Sequence, residues 1–162
     1  MAIRTIITQG DPVLNKVCHP VEKFDEKLHT LLDDMKETLA DSNGVGLAAP
    51  QIGILRRVVV VLDDEDHPIE LVNPVIVRED GEQVGLEGCL SVPGKYGVVT
   101  RPMDVTVRAQ DRDGRFFEVS GTEIVARCFC HELEHLDGHL FVERAGKLYT
   151  PEELDAMEAG EE

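Results

Sequence analysis

The segment from Ser120 to Gly138 constrains the fold most, because it predicts a helix that carries a metal-binding motif. Ser120 and Glu123 have the spacing of a capping box, and Gly138 suits the left-handed position just past a helix end. Between them, His131 and His135 are four residues apart. At about 3.6 residues per turn they share one helix face. The two imidazoles are therefore predicted to bind one metal ion, although such a pair also occurs on plain solvated helices.

The same helix carries a candidate catalytic base. Glu132 lies about 100° around the helix from His131, so it is a poor third ligand but can reach a water molecule and take its proton. Cys128 and Ile124 occupy the histidine face one and two turns earlier, respectively, and can form an apolar wall. A catalytic metal centre has three protein ligands. Cys89 offers the missing one as a soft thiolate, but an isolated cysteine is more often a small buried apolar residue.

Composition limits the function classes. The chain has 162 residues, which indicates one domain over residues 1–162, and its formal charge of −16 disfavours nucleic acid as a partner. No apolar run approaches about 18 residues, so no membrane span is predicted. The N-terminal segment lacks a signal-peptide core, which predicts a cytoplasmic location. The four cysteines form no CxxC pair and are expected to be reduced thiols or ligands: Cys18, Cys89, Cys128 and Cys130.

Periodicity predicts an α+β fold. Asp25 caps a helix with an apolar stripe, and Asn43-Gly44 ends it. The following segment, residues 44–53, fits neither the helical nor the strand period, and its glycines allow close approach to a ligand. Pro151 and Glu153 suit the start of a short terminal helix. Strands are predicted at 57–62, 71–78, 98–100, 105–110 and 116–120, with a hairpin turn at 111–114.

Three separated motifs carry a family resemblance. The chain contains GVGLAAPQ at 44–51, EGCLS at 87–91 and HELEH at 131–135, in that order. Together they resemble peptide deformylase, the metalloenzyme family that removes the formyl group from N-formylmethionine on nascent bacterial polypeptides. The resemblance implies mixed and antiparallel β-sheets packed around a central metal-binding helix. It also implies one Fe²⁺ per chain, with Zn²⁺, Ni²⁺ or Co²⁺ as possible substitutes.

The resemblance assigns roles residue by residue. The implied metal ligands are Cys89, His131 and His135. The implied catalytic groups are Glu132 as the base, Gln51 as a side-chain donor to the formyl oxygen, and the backbone N–H of Leu90 as its partner donor. The implied substrate-binding residues are Gly44, Val45, Gly46 and Gly88 along the peptide backbone, with Val45, Ile124 and Cys128 around the methionine side chain.

The chain departs from the usual family pattern at Cys130, Glu134 and Tyr96. Its C-terminal segment, residues 152–162, is acidic. If the protein contacts the ribosome, we therefore do not expect it to do so through this tail, because rRNA phosphates would repel it.

Two alternatives remain open from the residues. A zinc endopeptidase also uses a HExxH helix, but it takes its third ligand downstream, where His139 fits poorly. A non-catalytic module with a structural metal would need a fourth ligand beside the motifs.

Overall fold

A computed structural model describes residues 2–161, in which three α-helices pack with two β-sheets. The helices are α1 (Glu26–Ser42), α2 (Ile124–Leu136) and α3 (Pro151–Glu161). The strands are β1 (Gly46–Ala48), β2 (Val58–Leu62), β3 (Pro68–Asp80), β4 (Gln83–Cys89), β5 (Val92–Arg101), β6 (Asp104–Gln110), β7 (Phe116–Thr122) and β8 (Leu148–Tyr149). Short 3₁₀ helices span Pro12–Asn15, Ala49–Ile52 and Phe141–Glu143.

Both sheets are antiparallel. The larger has the order β1-β2-β3-β6-β7, and the smaller has the order β4-β5-β8. Helix α2 packs against β1, β2, β6 and β7 of the larger sheet and against β5 of the smaller one. The predicted α+β class, with sheets around a central helix, is confirmed.

Strand β2 of the larger sheet is buried on both faces. Its side chains alternate across the sheet, as in any strand. Val58 and Val60 pack with α1, whereas Val59 and Val61 pack with α2. A continuous run of valines is the sequence expected of a strand covered on both sides. The position of α2 is therefore fixed by apolar contacts along its length.

The N-terminus of α2 differs from the prediction. Ser120 pairs with Thr106 inside β7, so it is not an N-cap, and the capping box at Ser120 and Glu123 is wrong. The helix begins at Ile124 after Glu123, which has φ +54° and makes no side-chain cap. Pairing of β7 with β6 continues to Thr122 and overrides the local capping signal. At the other end the prediction is confirmed: Gly138 has φ +82°, a conformation that favours glycine.

Other predictions met mixed outcomes. The cap at Asp25, the end of α1 at Asn43, the turn at 111–114 and the terminal helix are confirmed. Residues 44–53 do contain regular structure, because β1 and a 3₁₀ helix lie within them. Strand β4 was missed, since its glycines and polar residues conceal the period of a strand.

None of the described helices is long and apolar enough to cross a membrane. All four cysteines are free, as predicted.

Candidate metal centre and active site

The structure brings three predicted metal ligands together from two separate elements. Cys89 ends β4, and His131 and His135 lie one turn apart on α2. Their ligand atoms lie within 4.8 Å of one another, and Cys89 Sγ is 3.4 Å from His135 Nε2. Both histidines are buried. One thiolate and two imidazoles in this arrangement are suited to a divalent transition metal.

A buried carboxylate orients the first imidazole. Glu87 Oε1 accepts a hydrogen bond from His131 Nδ1 at 2.9 Å, which leaves His131 Nε2 as the atom available to a metal. Glu87 is held in turn by two arginines. Arg101 donates through Nε and Nη2 at 2.8 and 2.9 Å, and Arg127 Nη1 donates at 2.7 Å. The Phe141 ring stacks on His131 with centroids 5.9 Å apart.

The electrostatic surroundings of the two histidines suit a bound cation. Burial lowers the pKa of His135 to about 3, so its ring is neutral and keeps a lone pair for a ligand bond. Burial would also lower the pKa of His131, but the negative charges of Glu132, Cys89 and Glu87 raise it well above its ordinary value. Surroundings that favour a positive charge on this ring also favour a metal ion beside it. The residues present therefore fit a metal.

Glu132 lies against the backbone of β1. A Cβ built on Gly46 would be 2.6 Å from Glu132 Oε2, so only glycine leaves room for the carboxylate. Burial raises the pKa of Glu132 to about 7, with Glu87 raising it further and His131 opposing. Its Oε1 atom is buried and has no hydrogen-bond partner among the described residues. A carboxylate with such a pKa and a free oxygen can exchange a proton near neutral pH.

Gln51 is held with its amide donor pointing at the cysteine sulfur. Its Oε1 accepts a hydrogen bond from Ala48 N at 2.9 Å, which fixes the amide plane. Its Nε2 donates to Ser91 Oγ at 3.1 Å and lies 3.6 Å from Cys89 Sγ. Ser91 N also donates to the sulfur at 3.4 Å. Two donors are therefore aimed at the Cys89 sulfur.

A cavity of about 510 Å³ opens beside these groups. Its walls come from β1, the β4–β5 hairpin and one face of α2. The predicted residues that line it are Gly44, Val45, Gly46, Gln51, Gly88, Cys89, Leu90, Ile124, Cys128, His131 and Glu132. Val45 and Ile124 are exposed at its mouth, whereas Cys128 is buried in its wall. His135 does not line the cavity and is buried.

Comparisons with known proteins agree with this geometry. The polypeptide deformylase family model matches residues 3–150. A peptide deformylase from Agathobacter rectalis is 55% identical over 98% of this chain and 100% of that protein. One from Alkaliphilus metalliredigens is 53% identical over 89% of this chain and 97% of that protein. The chain belongs to the polypeptide deformylase family.

Solved structures place the fold in the same family. A peptide deformylase from Legionella pneumophila matches with a TM-score of 0.85 and 43% identity, over 98% of this chain and 97% of that one. One from Thermotoga maritima matches with a TM-score of 0.85 and 39% identity, over 90% and 99%. Membership of the polypeptide deformylase family favours the predicted deformylase over the zinc endopeptidase alternative.

Several residues around the deformylase site were not assigned a role from the sequence. Glu87 and Ser91 lie inside the quoted EGCLS motif, but nothing in their spacing shows that they contact His131 and Gln51. Arg101, Arg127 and Phe141 lie outside the three motifs. A charged residue is usually exposed, so the sequence does not show that it will be buried and paired at a site; only the folded structure does.

Proposed function

We propose that this chain removes the formyl group from N-formylmethionyl nascent polypeptides and releases formate and a free N-terminus. The observation that carries the proposal is the meeting of Cys89, His131 and His135 beside the buried carboxylate of Glu132. Family membership supports the same activity. The proposed catalytic unit is one domain over residues 1–162, acting in the cytoplasm.

Cys89, His131 and His135 would hold the metal. A bound divalent cation would lower the pKa of water and polarise the formyl oxygen. We propose Fe²⁺, with Zn²⁺, Ni²⁺ and Co²⁺ as substitutes, because one thiolate and two imidazoles accept any of these ions. The donor set found among the described residues has three members, as in catalytic rather than structural sites.

Glu132 acts as the proton carrier. Its unpartnered Oε1 takes a proton from the attacking water, and the carboxyl group then delivers that proton to the departing amine. Gln51 Nε2 and the Leu90 N–H donate hydrogen bonds to the oxygen that becomes negative when the formyl carbon is attacked. The fixed amide plane of Gln51 supports this role, since a preorganised donor needs no reorientation during the reaction.

The cavity binds the peptide. The backbone around Gly44, Val45 and Gly46 pairs with the substrate as an added strand, with Gly88 on the facing wall. Val45, Ile124 and Cys128 surround the methionine side chain, which suits their apolar character and their positions around the cavity. The acidic residues of α3 and the charge of −16 support a further proposal, that any contact with the ribosome does not use this helix.

The proposed activity is tested by purifying the protein without oxygen, measuring its metal content and assaying formate release from formyl-Met-Ala. Metal-dependent formate release without casein cleavage is the expected result. Casein cleavage in the absence of formate release would instead favour an endopeptidase. For the ribosome, removing residues 151–162 should leave pelleting with ribosomes unchanged at physiological salt.

A further inference from the structure

A row of alternating charges runs from the metal-ligand cluster to the protein surface. It begins at His131, whose Nδ1 is bonded to Glu87, and continues to Arg101, which binds Glu87 with two nitrogens. The remaining nitrogen of Arg101, Nη1, donates to Glu134 Oε1 at 2.5 Å. Arg144 Nε donates to the other Glu134 oxygen at 2.6 Å. Each group in the row is bonded to the next.

Burial decreases steadily along this row. The side chain of Arg101 is 2% exposed, that of Glu134 is 20% exposed and that of Arg144 is 54% exposed. Glu134 and Arg144 border a second cavity, of about 380 Å³, on the far side of α2 from the substrate cavity. Glu134 does not line the substrate cavity and is not a member of the ligand cluster. Hydrogen bonds connect Glu134 to His131 through Arg101 and Glu87.

We propose that Glu134 is a positioning residue that sets how strongly His131 holds the metal. Glu87 divides its negative charge between His131 and two arginines. Glu134 supplies a counter-charge to Arg101. Without Glu134, the guanidinium would attract the Glu87 carboxylate more strongly. The hydrogen bond to His131 Nδ1 would then weaken, and the ring would become a poorer donor to a cation. The extra positive potential would oppose the cation as well.

Glu134→Gln is the main variant, and Asp137→Asn is its matched control. Asp137 lies three residues later, at the C-terminus of α2, borders the same second cavity and forms an ion pair with Arg57 at 3.0 Å. Its backbone N–H donates to the Glu134 carbonyl, but its side chain has no hydrogen bond to the row among the described residues. Both variants remove one negative charge from the same end of the helix, so a loss of affinity caused by lower acidity alone should appear in both, more weakly at the more exposed Asp137. Only Glu134→Gln breaks the connection to His131.

The measurement is titration of the metal-free proteins with Co²⁺ alone, together with thermal unfolding of the metal-free state. We expect Glu134→Gln to bind the ion about 10- to 100-fold more weakly, and Asp137→Asn to bind within about twofold of the wild-type protein. When Glu134→Gln is saturated with Co²⁺, kcat should fall while KM stays unchanged, because Glu134 does not touch the substrate cavity.

Two further variants keep the inference testable if Glu134→Gln folds poorly. Glu134→Asp retains the carboxylate and should retain most of the affinity. Arg144→Gln leaves Glu134 freer to balance Arg101 and removes a positive charge, so it should strengthen binding, but only slightly, because an exposed pair is screened by solvent.

Equal affinities for wild-type protein and a folded Glu134→Gln would overturn the inference, as would equal losses in Glu134→Gln and Asp137→Asn. The inference rests on the proposed metal site, and different results would contradict the site and the role of Glu134. If the wild-type protein binds no metal, the site itself is wrong, whatever Glu134 does.

Discussion

Helices α1 and α2 cover opposite faces of the same sheet, yet they bury different chemistry. Helix α1 buries mainly an apolar stripe, which includes Leu32 and Met35, and turns its other side to solvent. Helix α2 is buried almost all round, and its buried residues include His131, Glu132 and His135. Burying polar and charged groups destabilises a fold unless they find partners. Helix α1 thus contributes mainly core packing, whereas α2 combines core packing with a reactive face.

The two helices even share one unusual feature. Each carries a glutamate with a buried carboxylate oxygen that lacks a hydrogen-bond partner, Glu37 on α1 and Glu132 on α2. Only Glu132 lies beside the metal-ligand cluster and lines the substrate cavity. An unpartnered carboxylate can therefore take part in catalysis only where metal ligands and a substrate cavity lie beside it. Changes to the reactive face of α2 should alter activity more than stability, and changes to the apolar stripe of α1 should do the reverse.

The largest effect is expected from Glu132→Gln. Loss of the proton carrier should reduce turnover about 10²- to 10⁴-fold, with metal content and thermal stability retained. Glu37→Gln makes the same chemical change on α1 and should leave turnover near that of the wild-type protein. The check is formate release at equal metal loading. A Glu132→Gln variant with near-normal turnover would remove the proposed base from the mechanism.

The next largest effect is expected on metal retention, when the sulfur of Cys89 is replaced. Cys89→Ser replaces a soft thiolate by a hydroxyl, so the variant should lose most of its metal during dialysis. Cys18→Ser makes the same exchange in the apolar core and should keep its metal. Elemental analysis of the dialysed proteins measures this difference. Full metal content in Cys89→Ser would argue against ligation by this residue.

A core substitution in α1 should act on stability alone. Leu32 is fully buried, so Leu32→Ala should lower the free energy of unfolding by about 2–5 kcal/mol. Leu32→Met keeps the volume and should cost less than about 1.5 kcal/mol. Urea unfolding gives these values. Turnover per folded molecule should stay unchanged in both variants, and a selective loss of turnover would show that α1 also supports the site.

The smallest effect compares the two helix N-termini. Asp25 accepts a hydrogen bond from Leu28 N at 3.2 Å, so Asp25→Ala should cost about 1 kcal/mol of unfolding free energy. Glu123 makes no such bond at the start of α2, and Glu123→Ala should stay within about 0.5 kcal/mol of the wild-type protein. Thermal unfolding of the two variants side by side measures the difference. Equal losses would mean that α2 has a cap of another kind.

The two helices also show which features the sequence predicts well. The ends of α1 at Asp25 and Asn43 follow from signals within a few residues of each end. The start of α2 does not, because its capping signal at Ser120 lies in a strand held by distant partners. Strand β4 was missed for a related reason. Its residues lack a clear apolar alternation, and its position depends on pairing with β5.

The sequence by itself determined the chemistry available to this protein: two histidines and a glutamate at helical spacing, a separate cysteine and a glutamine in a glycine-rich segment. It also determined the α+β class, since apolar periodicity is a local property. Only the tertiary structure decided that Cys89 meets the two imidazoles, that Gly46 makes room for Glu132, and that Glu87 and Arg101 support His131. Those contacts join residues far apart in the chain, and their formation depends on how the sheets and helices pack.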